Sequence, residues 1–138
     1  MGNIQSFSKV SYGSVQDIVM KNTNALLVCT LDKKNEQYAI EKTIAIENEE
    51  NVINNMMKKR QHDLIIVIYG ENMYDDTVIK KYTQLKKIGF KNCYIYFGGL
   101  FEWFLLQDVY GQEVFPTMST PMNGCLSFKP IGMKPFQY

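Results

Sequence analysis

Three apolar runs set the frame of the chain. Ala25-Leu26-Leu27-Val28-Cys29, Leu64-Ile65-Ile66-Val67-Ile68-Tyr69 and Cys93-Tyr94-Ile95-Tyr96-Phe97 are continuous rather than alternating. Such runs mark strands covered on both faces. A further short strand is predicted at Thr43-Ile44-Ala45-Ile46. Between the runs the apolar period becomes helical. Val15, Ile18 and Val19 predict a short helix opening at Ser14, with Asp17 in a capping-box-like place. Val52, Ile53, Met56 and Met57 predict a helix over 47–60, its acids leading and its bases trailing, as the helix dipole favours. Val78, Ile79, Tyr82 and Leu85 predict a third over 77–88, with Gly89 just past its end. A last helix begins at Leu100–Leu106, after the Gly98-Gly99 turn.

Strands alternate with helices and no hairpin signal joins them. The pattern predicts an α/β fold, with a parallel sheet of about five strands and helices on both faces. The crossovers should be right-handed. In such sheets ligands bind beyond the carboxyl ends of the strands, so the loop after Tyr69 is the place to inspect.

With 138 residues, the chain is long enough for one domain with a real core. A net charge of +1 gives bulk electrostatics no reason to favour nucleic acid or an anionic substrate. Cys29, Cys93 and Cys125 are odd in number, no pair has metal-ligand spacing, and no secretory signal precedes them. A reducing, cytoplasmic setting fits, with no metal and no cofactor expected. No apolar run reaches the length of a membrane span. The start, Met1-Gly2-Asn3-Ile4-Gln5-Ser6, matches the pattern for N-myristoylation of Gly2, against the alternative of a chance match. One such chain gives only marginal membrane binding, and Lys9 alone is no polybasic patch. A bias toward Asn, Ile and Lys suits an AT-rich genome, with a large DNA virus or a protist as the source.

From Phe115 the pattern breaks. Pro116, Pro121, Pro130 and Pro135 interrupt any regular element, yet Phe115, Phe128, Phe136 and Tyr138 are too apolar for a disordered tail. Three parts are expected: an N-terminal arm over 1–13, a domain over 14–110, and an extended arm over 111–138 that packs on the domain or on a partner.

The order of elements resembles the rhodanese family. The resemblance rests on the Leu64–Tyr69 strand with its following loop and helix. It continues through Ile88-Gly89-Phe90-Lys91-Asn92-Cys93-Tyr94-Ile95-Tyr96-Phe97-Gly98-Gly99-Leu100-Phe101-Glu102-Trp103. Rhodanese-like domains have a buried strand ending in Tyr-Cys, a helix ending in Gly-Phe-x-Asn-Val, and a strand ending in Gly-Gly before a helix carrying Trp. The pattern can be laid along residues 14–110. Its first half is the weaker. The segment from Ala39 to Ile46 matches the family's His-Ile-Pro-Gly-Ala only in apolar spacing. The family's Asp-x-Arg falls at Val28-Cys29-Thr30, where both charges are missing.

The resemblance implies a sulfurtransferase loop whose backbone N–H groups surround a cysteine thiolate. Here that loop is Gly70-Glu71-Asn72-Met73-Tyr74-Asp75-Asp76. Gly70 stands where the cysteine belongs, so the loop has no nucleophile. It has no arginine or lysine either, and Glu71, Asp75 and Asp76 make it acidic. Asp75 or Asp76 as a cap on the 77–88 helix is the favoured role over a catalytic carboxylate pair or a cation site. Cys29 and Cys93 read as core, and Cys125 as the one exposed thiol that a folded tail could deliver. His62 falls at the opposite end of the central strand.

Three functions follow. The leading one is a non-catalytic rhodanese-like binding or structural domain. Its partner would be a protein bound through the C-terminal arm, and its Gly2 lipid would give it a membrane- or virion-associated place. The second is a sulfurtransferase using Cys125, or a hydrolase using the loop acids. The third is a homo-oligomer that exchanges the arm.

Overall fold

The computed structural model describes residues 7–21 and 24–130. Gly2 and its motif, and Pro135, Phe136 and Tyr138, lie outside the described residues.

Three parallel strands form the sheet, β1 (Ala25–Cys29), β2 (Ile65–Tyr69) and β3 (Cys93–Tyr96), in the order β1-β2-β3. Their ends are level at the carboxyl edge: Cys29 pairs with Tyr69, and Tyr69 with Tyr96. Among the described residues four α-helices cover them: α1 (Tyr12–Met20), α2 (Ile46–Lys58), α3 (Thr77–Ile88) and α4 (Gly99–Tyr110). The continuous apolar runs are explained by two cores, one on each face. Leu27, Cys29, Val67, Tyr69 and Tyr96 point to the side of α1 and α4. Val28, Ile66, Ile68, Cys93 and Ile95 point to the side of α2 and α3. A strand buried on both sides has no polar face to show in its sequence.

Among the described residues the sheet has three regular strands rather than about five. At each edge the next pairing is a single bridge, Leu27 with Thr43 on one side and Ile95 with Lys9 on the other. The expected strand at 43–46 does not extend. Lys42 takes a positive φ of 71°, and after Ile44 donates to the Leu27 carbonyl at 2.9 Å the chain turns away. Glu36 Oε2 then accepts the Ile46 N–H at 2.6 Å, where α2 begins. Residues 8–10 lie along β3, with Ile95 N–H donating to Ser8 O at 2.9 Å and Val10 N–H to Ile95 O at 3.0 Å.

The first helix opens earlier than Ser14 suggests. Ser11 is extended, at φ −90° and ψ 173°, and its carbonyl accepts the Ser14 N–H at 3.1 Å. Asp17 sits 3.3 Å from Lys21 one turn later. The third helix ends as its sequence indicates, with Gly89 left-handed at φ 115°.

The segment after α4 is laid against the domain. Phe115 and Phe128 are buried in the core beneath α1 and α4. Trp103 Nε1 donates to Pro116 O at 3.2 Å, and the backbone of Thr117 bridges to Ile40. A short 3-10 turn over Gly124–Phe128 runs beside α4, where the Phe104 and Phe128 rings stack with centroids 5.7 Å apart. No helix among the described residues is long and apolar enough to cross a membrane.

Candidate functional site

The loop from Gly70 to Asp76 stands at the carboxyl edge of the central strand. All seven of its residues come together there, but in different environments. Gly70 is buried, while Glu71, Asn72 and Asp75 are half-buried. Met73, Tyr74 and Asp76 are exposed.

The loop is closed by its own side chains. Asp75 Oδ2 accepts the Glu71 N–H at 3.1 Å, and Asp75 Oδ1 accepts the Thr77 N–H at 3.0 Å. The Thr77 hydroxyl bonds the same carboxylate oxygen and also Thr30 Oγ1, the latter at 2.7 Å. Asn72 Oδ1 accepts the Tyr74 N–H at 2.9 Å, and Asn72 O accepts the Asp75 N–H at 3.1 Å. Four loop and helix-entry amides are thus occupied by oxygens of the chain itself. Asp75 is the cap the sequence suggested: its side chain takes an amide of the first turn of α3, leaving Asp76 exposed.

The same carboxylate explains Gly70. A Cβ built there would lie against Asp75 Oδ2, 2.9 Å from Asp75 Cγ and 2.8 Å from Thr30 Oγ1. The volume next to Gly70 is therefore filled by a bonded acid, and any larger residue would have to displace it.

The opposite wall is the start of α4. Leu100 N–H donates to Gly70 O at 3.0 Å and Phe101 N–H to Glu71 O at 2.8 Å. This approach requires Gly99, which has a φ of 62° and whose Cβ would be 2.6 Å from Gly70 O.

Outside the loop lies a cleft of about 630 Å³. Asp32, Glu71, Asp75 and Asp76 bring four acids to it, and Lys34 and Lys129 bring two cations. The loop itself has no base, but the fold supplies two from elsewhere. Burial pushes the Glu71 carboxyl above its ordinary 4.5, the Asp75 and Asp32 charges push it further, and the Asn35 amide (3.1 Å) and Lys34 draw it back. No group of three or more His, Cys, Asp or Glu residues able to hold a metal ion occurs among the described residues.

The thiols do not reach the loop. Cys29 is buried in the core, and burial pushes it up to about 11, so it is protonated at neutral pH. Cys93 is buried, and burial raises it too. Cys125 is half-buried against the core, while Ser127, Phe128 and Lys129 are the tail residues that line the cleft. The tail does meet the loop, through the Asn72 amide donating to Phe128 O at 3.0 Å. His62 packs on Phe90, with ring centroids 5.2 Å apart, away from the loop.

Sequence reasoning missed Thr30, Asp32, Lys34 and Asn35. Their position just after β1, beside β2 at the same edge, is the available signal. Lys129 and the Phe128 carbonyl carried none.

No family model matches the chain, and no curated protein matches it by sequence. Solved structures do. The single-domain sulfurtransferase RDL2 of Saccharomyces cerevisiae superposes with a TM-score of 0.56 at 19% identity, over 83% of this chain and 100% of that one. The fold is rhodanese-like. The Alr3790 protein from Anabaena sp. superposes with a TM-score of 0.53 at 14% identity, over 70% of this chain and 75% of that one. In this chain the loop follows the central strand β2, and the Gly98-Gly99 turn leads from β3 into α4.

Proposed function

We propose that this rhodanese-like domain does not transfer sulfur and serves as a binding or structural module. One observation carries the reading. The Asp75 carboxylate, tied to Glu71 N and to Thr77, fills the space beside Gly70. The position expected to hold a reactive thiolate thus holds a fixed anion, and the amides of Glu71, Tyr74, Asp75 and Thr77 already have an acceptor within the chain. A thiolate or persulfide brought there would meet a like charge at contact distance, which disfavours its charged form.

The partner in this reading is a protein, bound through the segment that follows α4. The Gly2 motif adds a lipid tether, and with it a membrane- or virion-associated place for a protein of viral or protist origin. The enzyme alternative has little support from the geometry. Cys125 is packed toward the core rather than toward the cleft, and Asp75 is engaged as a cap.

A thiosulfate:cyanide assay on the full-length chain, with an active rhodanese as the positive control, tests the central statement. We expect no turnover above the uncatalysed rate. Turnover that disappears in Cys125→Ser would replace this reading with the alternative. Intact mass of protein co-expressed with an N-myristoyltransferase tests the tether independently.

A further inference from the structure

The net charge of +1 is not spread evenly over the molecule. α2 leads into β2 and α3 into β3, so both helices run against the parallel strands and end at the amino edge of the sheet. They lie side by side on one face, where Ile53 and Met57 of α2 and Leu85 and Ile88 of α3 line a common groove. The links that follow them also pack together. Lys91 N–H donates to His62 O at 3.2 Å, and Asn92 Nδ2 to Asp63 O at 2.6 Å.

This corner holds Lys58, Lys59, Arg60, Lys86, Lys87 and Lys91, all exposed. Residues 58–63 and 86–92 thus carry six of the chain's 15 bases and one of its 14 acids, Asp63. None of the six bases is ion-paired among the described residues. Asp17, Asp108 and Glu113 belong to α1, α4 and the segment after it, which cover the other face of the sheet. The cleft at the carboxyl edge has the reverse balance, four acids to two bases.

Helix ends account for part of the cluster. Lys58, Lys86 and Lys87 stand in last turns, where cations suit the dipole. Arg60 and Lys91 lie beyond the helices, where that reason fades. Packed helices are about 8–10 Å apart, roughly one Debye length at physiological salt, so bases on the two ends act together.

We propose that this corner rests on an anionic lipid surface and supplies a second membrane signal. The inference rests on the Gly2 tether reading for the first signal, since one acyl chain alone binds a membrane only marginally. Five of the six bases are lysines, point charges on long stems that read charge rather than geometry. No exposed ring stands among them, because Phe90 is buried, so stacking on nucleic-acid bases has nothing to use. The described start of the chain is close by. The Phe7 ring packs on Tyr82 of α3 with centroids 5.5 Å apart, and Lys86 Nζ lies 5.8 Å from the same Tyr82 ring. Gly2 comes five residues before Phe7, a reach of about 17 Å at most.

Cosedimentation of the full-length acylated chain with vesicles of phosphatidylcholine, alone or mixed with phosphatidylserine, tests it. Binding should be stronger on the anionic vesicles and should weaken as salt is added. Lys58→Gln with Lys59→Gln, and separately Lys87→Gln with Lys91→Gln, should each weaken that binding roughly 20- to 30-fold, about fivefold per base. Lys33→Gln with Lys34→Gln, the same charge change after β1, should leave it within about twofold. Circular dichroism checks that each variant folds. Equal binding to both vesicles, no loss in either corner pair, or an equal loss in the control pair would overturn the proposal. So would displacement from the anionic vesicles by an equal charge of duplex DNA. Gly2→Ala, which prevents acylation, should bind less but keep the preference for phosphatidylserine. An unacylated wild type by intact mass ends the tether reading, while the Gly2→Ala chain still judges the corner, so the two failures are distinguishable.

Discussion

The loop after β2 and the turn after β3 stand side by side at the carboxyl edge of the sheet and touch each other. Leu100 and Phe101 amides from the one donate to Gly70 and Glu71 carbonyls of the other. Yet they relate differently to the rhodanese pattern. The turn keeps Gly-Gly and the tryptophan, while the loop has neither the cysteine nor the arginine. The turn is held by packing: Gly99 has no room for a Cβ, and Trp103 is wholly buried between Tyr96 and Phe115. In the loop, packing requires only that the backbone be closed and its amides satisfied. Asn72 and Asp75 supply oxygens to the amides of Glu71, Tyr74, Asp75 and Thr77. If the domain is non-catalytic as proposed, the scaffold of such a site and its chemistry are separable even at contact distance.

If the turn is the structural member of the pair, it should carry the larger stability effects. Trp103→Ala removes two edge-to-face aromatic contacts and the bond to Pro116 O. We expect a loss of about 3–5 kcal/mol in urea denaturation. Gly99→Ala should cost about 1–3 kcal/mol from the left-handed backbone alone. Gly98→Ala, at an ordinary φ of −59°, carries no such backbone cost and only crowds Glu102, whose Cβ would lie 2.8 Å away, so it should cost less. Equal costs at the two glycines would break the comparison.

The loop should respond to changes in its internal anion. Asp75→Ala removes a helix cap, for an expected loss of about 1 kcal/mol. A double-mutant cycle sharpens this. Gly70→Cys should destabilise the wild type by about 1–3 kcal/mol through overpacking, and less in an Asp75→Ser background where the contested volume is freed. Additive costs would mean that Asp75 is not the obstacle.

The smallest effect is a pH dependence. The Glu71 carboxyl is raised in the folded state, so the folded chain holds that proton more tightly than the unfolded one. Its contribution is present below the ordinary 4.5 and is lost as pH rises through the folded value. Glu71→Gln, which keeps an acceptor for Asn35, should therefore raise Tm at neutral pH, with the difference vanishing in acid. A Tm difference that grows as pH falls would contradict this.

Much of the fold could be read from the chain because its three regular strands are apolar on both faces. The sheet edges could not. Thr43 and Lys9 each contribute one bridge, and the Thr43 segment is confined between a positive φ at Lys42, which no local pattern announces, and the start of α2 at Ile46. At the site, Gly70 and the cap at Asp75 were legible because both follow from one short segment. Thr30, Lys34 and Lys129 come from elsewhere in the chain, and only the level register of β1 and β2 and the path of the tail bring them in. The tail's prolines suggested an extended arm. Its buried rings, Phe115 and Phe128, depend on α4 being present to receive them.

The most direct measurement is sulfur transfer from thiosulfate to cyanide by Gly70→Cys. With the Asp75 carboxylate bonded beside that position, the restored thiol should remain inactive, at the rate of the wild type. Turnover well above the wild type would show that the loop still forms a working cradle, and that the missing cysteine is all that separates it from an enzyme.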